Sequence, residues 1–208
     1  MRWVMLHGLG QTPESWKIVV QTAGLKTEAC CPNLADWLGG GDYSGLYQGL
    51  EEYCDRMDAP FFLSGLSLGG VLALQYAAEH PDRVAALALI GAQYVMPKRL
   101  LKVQNLLFSL LPERMFREAG MGKEKMIALT GSMMGLDFTE DLDRIRCPAL
   151  VLCGERDRAN RAAAQALGTR LPLGELSFVK GAGHEVNVDA PEALAAKLKK
   201  FLDSRSLT

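Results

Sequence analysis

Short apolar runs alternate with segments of helical periodicity along this chain. The runs cover residues 3–6, about 27–31, 60–64, 84–90, 149–153 and 176–179. Glycine, proline or charged residues bound them, and the clearest helical segments lie at about 70–79 and 191–202. Alternation of this kind predicts βα units around a mostly parallel sheet of about six strands, flanked by helices.

The alternation stops at residues 94–146, where leucines recur at helical spacing. We therefore predict one α/β domain over residues 1–208, with a core of 1–93 and 147–208 and a helical insertion of 94–146. Two interpretations of the insertion remain open. It is either an ordinary helical subdomain or a pliable lid over an apolar pocket.

Composition narrows the class of protein. The chain has 23 basic and 24 acidic residues and a formal net charge of -1. It therefore lacks the excess of positive charge that is typical of nucleic-acid-binding proteins. No apolar run approaches the roughly 20 residues that span a bilayer, so no integral membrane segment is expected. The apolar stretch at the N-terminus is too short for a secretory signal, which predicts a cytoplasmic protein.

Residues 65–69 read Gly-Leu-Ser-Leu-Gly, a G-x-S-x-G pattern centred on Ser67. The pattern falls between an apolar run and a predicted helix, which is the strand–turn–helix setting of a nucleophile elbow. The flanking glycines relieve crowding around a serine with strained backbone angles, and the helix N-terminus favours negative charge beside it. We predict that Ser67 is a nucleophile; the alternative is a tight turn that happens to contain serine.

A glycine turn, His-Gly-Leu-Gly at residues 7–10, follows the first apolar run. Glycines let the backbone bend so that an N–H points into a site. The amides of Leu9 and Leu68 would together hold the oxyanion of a tetrahedral intermediate. A dinucleotide-binding fingerprint is excluded because Pro13 occupies the third glycine position of G-x-G-x-x-G. A plain glycine turn is the other interpretation.

The chain has three histidines, and one is placed for general-base catalysis. His7 lies in the glycine turn, and His80 lies at a helix end where a capping role is expected. His184 follows the last apolar run in a glycine-containing loop. The carboxyl ends of parallel strands share one edge of a sheet, so we expect His184 and Ser67 to lie there together.

A carboxylate that orients the histidine is expected at the same edge. Asp157 qualifies because it closes the sequence Gly-Glu-Arg-Asp, directly after the apolar run at 149–153. Glu155 is the nearest rival. Asp189 is instead predicted to cap the last helix.

The order Ser67, Asp157, His184 resembles that of the α/β-hydrolase fold superfamily, which includes serine esterases and lipases. Four landmarks carry the resemblance in sequence: the His-Gly turn, the G-x-S-x-G elbow, the Gly-Glu-Arg-Asp strand end and the Gly-His loop. The resemblance implies that the serine attacks an acyl carbon, the histidine takes its proton and the aspartate holds the imidazolium. The amides of Leu9 and Leu68 would then form the oxyanion hole. No cofactor and no metal are implied, and the insertion matches where the family places a lid.

These roles predict a carboxylesterase-like serine hydrolase with a small to medium ester as its substrate. Serine at the elbow excludes the related dehalogenases and epoxide hydrolases, which carry aspartate there. The alternative reactions that remain open for the same triad are hydrolysis of thioesters or amides, carbon–carbon bond cleavage and acyl transfer. Ligand binding without catalysis also remains open.

The insertion adds two hypotheses about partners. Residues 94–136 carry seven basic residues against three acidic ones, and an acidic carrier protein would complement that balance. A solvated helical face beside the acidic stretch at 137–143 is the simpler interpretation. The apolar run at 100–111 suggests an enzyme that works at a lipid surface.

Overall fold

Six parallel strands form the central sheet of the computed structural model, which describes residues 1–39, 41–118 and 122–204. The strands are β1 (Trp3–Leu6), β2 (Ala29–Cys30), β3 (Phe61–Leu66), β4 (Val84–Ile90), β5 (Ala149–Gly154) and β6 (Gly174–Val179). Their order is β2-β1-β3-β4-β5-β6, and each neighbouring pair runs parallel. The predicted parallel sheet of about six strands is confirmed.

Helices cover both faces of this sheet. They are α1 (Lys17–Ala23), α2 (Tyr43–Asp55), α3 (Leu68–Glu79), α4 (Lys98–Leu110), α5 (Glu113–Glu118), α6 (Lys123–Ser132), α7 (Arg161–Arg170), α8 (Val186–Asp189) and α9 (Pro191–Asp203). Because helices flank it on both sides, the central sheet is built from nearly continuous apolar strands, as β1 and β5 show. Within the described ranges, no helix is long and apolar enough to cross a membrane.

Two apolar clusters form the core, one on each face of the sheet. One includes Leu72 and Tyr76 of α3 and Leu46 of α2. The other includes Trp16, just before α1, and Leu198 of α9, which packs against α1. All five of these side chains are buried, so the sheet is held between two apolar layers and its carboxyl edge is fixed in place.

Element boundaries differ from the prediction at one edge strand and one helix. β2 has two residues instead of about five, because it pairs with β1 only at Trp3 and Val4. α3 begins at Leu68, two residues earlier than predicted, and so includes Gly69 and Gly70. A Cβ at Gly69 would lie 2.4 Å from the Leu6 carbonyl oxygen, so close packing against β1 outweighs the weak helix propensity of glycine.

The chain between β4 and β5 contains α4, α5 and α6. Residues 119–121 of this segment lie outside the described residues. α4 packs against α6, where the Thr130 hydroxyl donates to the Asn105 side chain. Phe108 of α4 meets Phe116 of α5 edge to face, with ring centroids 5.4 Å apart. Phe108, Phe116 and Met126 line a cavity together with Ser67, so the three helices lie beside the carboxyl edge of the sheet.

Candidate active site

Ser67 occupies the sharp turn between β3 and α3. Its φ of 53° and ψ of −113° make it the one non-glycine residue with positive φ in the described part of the chain. The turn is tight enough that a Cβ at Gly65 would lie 2.1 Å from the Gly69 carbonyl oxygen. The Ser67 amide donates to the Ile90 carbonyl at 2.8 Å and ties the turn to β4. A strained serine held this firmly is a feature of functional sites.

His184 lies between Ser67 and Asp157 and contacts both. Its Nε2 lies 3.0 Å from the Ser67 hydroxyl oxygen, and its Nδ1 lies 2.8 Å from Asp157 Oδ2. A carboxylate only accepts, so Nδ1 carries the proton and Nε2 is left to accept from the hydroxyl. The Asp157 side chain is 4% exposed and that of His184 is 41% exposed. The structure thus brings the three predicted residues into one hydrogen-bonded chain.

Glu155, the rival carboxylate, and Asp189 each accept a hydrogen bond from the loop that carries His184. Glu155 Oε2 accepts from the Gly181 amide at 2.9 Å. The prediction that Asp189 caps the last helix is wrong, because Ala190 precedes α9 and Asp189 Oδ2 accepts from the Gly183 amide at 2.6 Å.

Asn160 is a site residue that the sequence analysis missed. Its Nδ2 lies 3.0 Å from Asp157 Oδ1 and 2.9 Å from Oδ2, and its backbone amide donates to Oδ1 at 3.2 Å. The same Nδ2 is 3.1 Å from His184 Nδ1, but both atoms carry protons in this tautomer, so that approach is a contact without a hydrogen bond. Asn160 therefore stabilises the carboxylate and not the imidazole. An Asp-x-x-Asn spacing at a helix start was the available signal, and it also suits ordinary capping.

His7 fixes the glycine turn that follows β1. Its Nε2 accepts from the Leu34 amide at 3.1 Å, so Nδ1 carries the proton and donates to the Gly8 carbonyl at 2.9 Å. Burial lowers the pKa of His7 below its ordinary value and keeps the ring neutral. Both ring nitrogens of His7 are thus occupied by backbone groups, and the ring supports the glycine turn.

A second missed residue, Gln11, joins the glycine turn to the segment that follows His184. Its Oε1 accepts from the Gly8 amide and from Asn187 Nδ2, each at 3.1 Å. Its Nε2 donates to Glu185 Oε1 at 3.0 Å and to Asn187 Oδ1 at 3.2 Å. Asn187 is 1% exposed, so its amide is out of reach of solvent and forms its hydrogen bonds with Gln11 instead of with water. Glu185 and Asn187 lie 174 and 176 residues from Gln11 along the chain, so no local sequence pattern predicts these contacts.

Leu9 and Leu68, the predicted oxyanion donors, border the same cavity as Ser67. Leu68 is the first residue of α3, so its N–H has no acceptor within the helix. Neither amide donates to any residue in the described ranges. Both amides border the cavity that contains Ser67, and their role as an oxyanion hole stays a prediction.

Two adjoining cavities meet at Ser67 and His184. The smaller has a volume of about 150 Å³, and its apolar lining includes Val71, Met96, Leu101 and Met133. The larger has a volume of about 390 Å³, and its apolar lining includes Phe108, Leu111, Met115, Phe116 and Met126. No lysine or arginine is among the described residues that line either cavity.

A model of the alpha/beta hydrolase family matches residues 3–197, nearly the whole chain. The chain belongs to the alpha/beta hydrolase family. Among its relatives, the protein of Bacillus subtilis (strain 168) provisionally named 2-succinyl-6-hydroxy-2,4-cyclohexadiene-1-carboxylate synthase is 26% identical, over 97% of this chain and 90% of the relative. Monoacylglycerol lipase abhd6-B of Xenopus laevis is 22% identical, over 99% of this chain and 76% of the relative.

Solved structures of other alpha/beta hydrolases share the fold. A carboxylesterase of Nitrososphaera gargenis superposes with a TM-score of 0.79 at 18% identity, covering 99% of this chain and 90% of that one. A thermophilic esterase from Thermogutta terrifontis gives 0.74 at 18% identity, again covering 99% and 90%. At these identities the likeness shows the architecture.

The topology of this alpha/beta hydrolase explains where its site lies. The chain passes from β1 to β2 on one side and then returns to β3 on the other, so β1 and β3 are neighbours at the point where the strand order reverses. Ligands of open α/β sheets bind at the carboxyl ends of strands at such a point. Leu9 follows β1 and Ser67 follows β3, while Asp157 and His184 follow β5 and β6 along the same edge.

Proposed function

We propose that this alpha/beta hydrolase cleaves an uncharged carboxylic ester of small to medium size through an acyl-enzyme. The observation that carries the proposal is the hydrogen-bonded chain from Ser67 through His184 to Asp157 at the mouth of two apolar cavities. A nucleophile within reach of a base, with the base oriented by a third group, is the arrangement that acyl transfer needs.

In the first half-reaction, the Ser67 hydroxyl oxygen attacks the ester carbon while His184 Nε2 takes the hydroxyl proton. Asp157 stabilises the imidazolium that forms, and the amides of Leu9 and Leu68 hold the oxyanion. Collapse of the intermediate breaks the carbon–oxygen bond. The proton on Nε2 then passes to the departing alkoxide, which leaves as an alcohol.

In the second half-reaction, water attacks the acyl-serine and gives its proton to His184 Nε2. The tetrahedral intermediate collapses, the proton returns to the Ser67 oxygen and a carboxylic acid is released. The His184 side chain is partly exposed, so water can reach it.

The lining of the cavities favours an uncharged ester over an anionic substrate. The Bacillus subtilis relative is named for a carboxylate product, and a carboxylate is held best by arginine or lysine. No such residue is among the described residues that line the two cavities. The relatives and solved structures named for lipase and esterase activity support the same choice.

The size of the smaller cavity sets an expectation for the acyl group. Its volume of about 150 Å³ equals that of an apolar cavity that binds benzene. With the acyl group in this cavity, kcat/KM for p-nitrophenyl esters should peak at about four to six acyl carbons. The test is to measure that series with wild-type protein and with Ser67→Ala. We expect turnover in the wild type alone, and wild-type protein that binds the esters without turnover would contradict the proposal.

A further inference from the structure

The outward face of α4 carries a row of exposed apolar side chains. Val103, Leu106, Leu107 and Leu110 are 55%, 63%, 56% and 75% exposed, and they recur at the i, i+3, i+4, i+7 spacing of one helical stripe. Leu111 and Met115 continue the stripe beyond α4, at 36% and 48% exposed. These six make up half of the twelve large hydrophobic side chains exposed in the described ranges.

The inward face of the same helix packs against the rest of the protein. Leu101 is buried in the core, and Phe108 packs edge to face on Phe116. Asn105 accepts a hydrogen bond from Thr130 of α6 and donates to the Ile127 carbonyl at 3.4 Å. Because these residues already hold α4 in place, the outward stripe is not required for packing.

The charges around the stripe are cationic. Lys98, Arg99, Lys102 and Arg114 lie in residues 98–116, where Glu113 is the one acidic residue. All four cationic side chains are exposed, and none forms an ion pair with a residue in the described part of the chain. Glu113 Oε1 already accepts a hydrogen bond from the Lys123 amide at 3.3 Å. The patch therefore has a local excess of positive charge on a chain whose net charge is -1.

The stripe is continuous with the larger cavity beside the serine. Leu111 and Met115 belong to both, since each is partly exposed on the stripe and each also lines the cavity that contains Ser67. An amphiphile that leaves a surface in contact with the stripe thus meets apolar side chains all the way to the nucleophile.

We propose that the outward face of α4, with Leu111 and Met115, docks onto an anionic lipid surface, from which the larger cavity takes its ester. An exposed apolar helix face with flanking lysine and arginine is the arrangement that binds in the plane of such a surface. Uptake of the ester from this surface rests on the proposed function, whereas the docking does not. A second copy of the chain fits less well, because a two-fold interface would bring this cationic patch against itself, with Glu113 as the one carboxylate in residues 98–116 to pair its four cations.

Flotation with lipid vesicles tests the docking without any need for turnover. The probe is a vesicle of phosphatidylcholine with about one third phosphatidylglycerol, and the protein is the full chain carrying Ser67→Ala so that lipid is not consumed. We expect this protein to float with the mixed vesicles and to stay in solution with pure phosphatidylcholine. Replacing Arg99 and Lys102 with glutamine should weaken binding about fivefold for each cation removed.

The decisive variant is Leu106→Asp with Leu110→Asp, since neither side chain lines a cavity. We expect at least a hundredfold weaker vesicle binding, and wild-type kcat/KM on a soluble short-chain ester when Ser67 is retained. Leu173→Asp is the matched control, because Leu173 is 52% exposed just before β6, on another part of the surface. It should bind vesicles like the parent protein.

Three outcomes would overturn the docking. They are equal binding by the double variant and its parent, equal binding to charged and uncharged vesicles, and a concentration-dependent dimer in sedimentation velocity that the double variant abolishes. The last would make the stripe an interface between copies. Esterase activity of the wild type that persists in any of these cases leaves the proposed function intact. Vesicle binding by the Ser67→Ala protein, together with wild-type protein that has no esterase activity, would contradict only the proposed function.

Discussion

Gln93 donates a hydrogen bond from Nε2 to Asn160 Oδ1 over 2.8 Å. An asparagine whose oxygen is occupied in this way must turn its amide nitrogen toward Asp157. The orientation of the carboxylate beside His184 is therefore set by a pair of amides, one of which lies just after β4 and the other at the start of α7.

We predict that Asn160→Ala lowers kcat/KM at least about tenfold on a short p-nitrophenyl ester, because a hydrogen bond to a charged group is worth about 1.5–3 kcal/mol. The loss should appear in kcat more than in KM, since Asn160 orients the triad. Gln93→Ala should cause a smaller loss, because it removes only the group that orients Asn160. Unchanged kinetics in Asn160→Ala would show that Asp157 is held adequately by its other contacts.

Gln11 offers a test of the link between the glycine turn and the segment that carries His184. Gln11→Leu keeps the size of the side chain but leaves the buried Asn187 amide unpaired, at a cost of about 1–3 kcal/mol in the free energy of unfolding measured in urea.

The matched double variant, Gln11→Leu with Asn187→Leu, should recover part of that stability, since replacing both partners removes the unpaired group. It should not recover kcat, because the turn and the loop are no longer joined. Full recovery of kcat would mean that the amide pair contributes only to folding.

The turn at Ser67 should tolerate no side chain at Gly65. A methyl group there would overlap the Gly69 carbonyl oxygen, so Gly65→Ala should destabilise the protein by about 3 kcal/mol and lower activity with it. Gly135→Ala is the control, because a Cβ at Gly135 meets nothing within 4 Å. Thermal unfolding of the two variants side by side decides the matter: similar melting temperatures would contradict the described turn.

His7 gives stability a dependence on pH. Burial lowers its folded-state pKa below the ordinary value of 6.5, so at mildly acidic pH the unfolded chain binds more protons than the folded one. The contribution of neutral His7 is therefore complete above pH 6.5 and is lost as the pH falls below that value. We expect the difference in unfolding free energy between wild type and His7→Gln to shrink as the pH is lowered from 8 to 5. A difference that stays constant would contradict a neutral, buried His7.

The order of the three candidate catalytic residues was predictable because each of them follows a strand. Ser67, Asp157 and His184 are placed by glycine-marked strand ends, and parallel strands put their carboxyl ends on one edge. The length of β2 was overestimated, because an apolar run at the edge of a sheet does not reveal how many of its residues pair with the neighbouring strand.

The supporting amides could not be predicted in the same way. Gln11 and Gln93 act on partners 176 and 67 residues away, and amide side chains carry no periodic signal. The leucines of α4 illustrate a different limit. Their spacing predicts an apolar stripe along the helix. The direction of the stripe is known only from the structure, in which Leu101 and Phe108 take up the inward face and leave the other apolar side chains exposed.

The proposed function requires that Ser67 is a nucleophile activated by His184. The most direct measurement is intact-mass and peptide mapping after treatment with a fluorophosphonate, for wild type, Ser67→Ala and His184→Ala. We expect one adduct on Ser67 in the wild type, none in Ser67→Ala and labelling slowed by at least about a thousandfold in His184→Ala. Wild-type protein that stays unmodified, or an adduct on any other residue, would contradict this requirement.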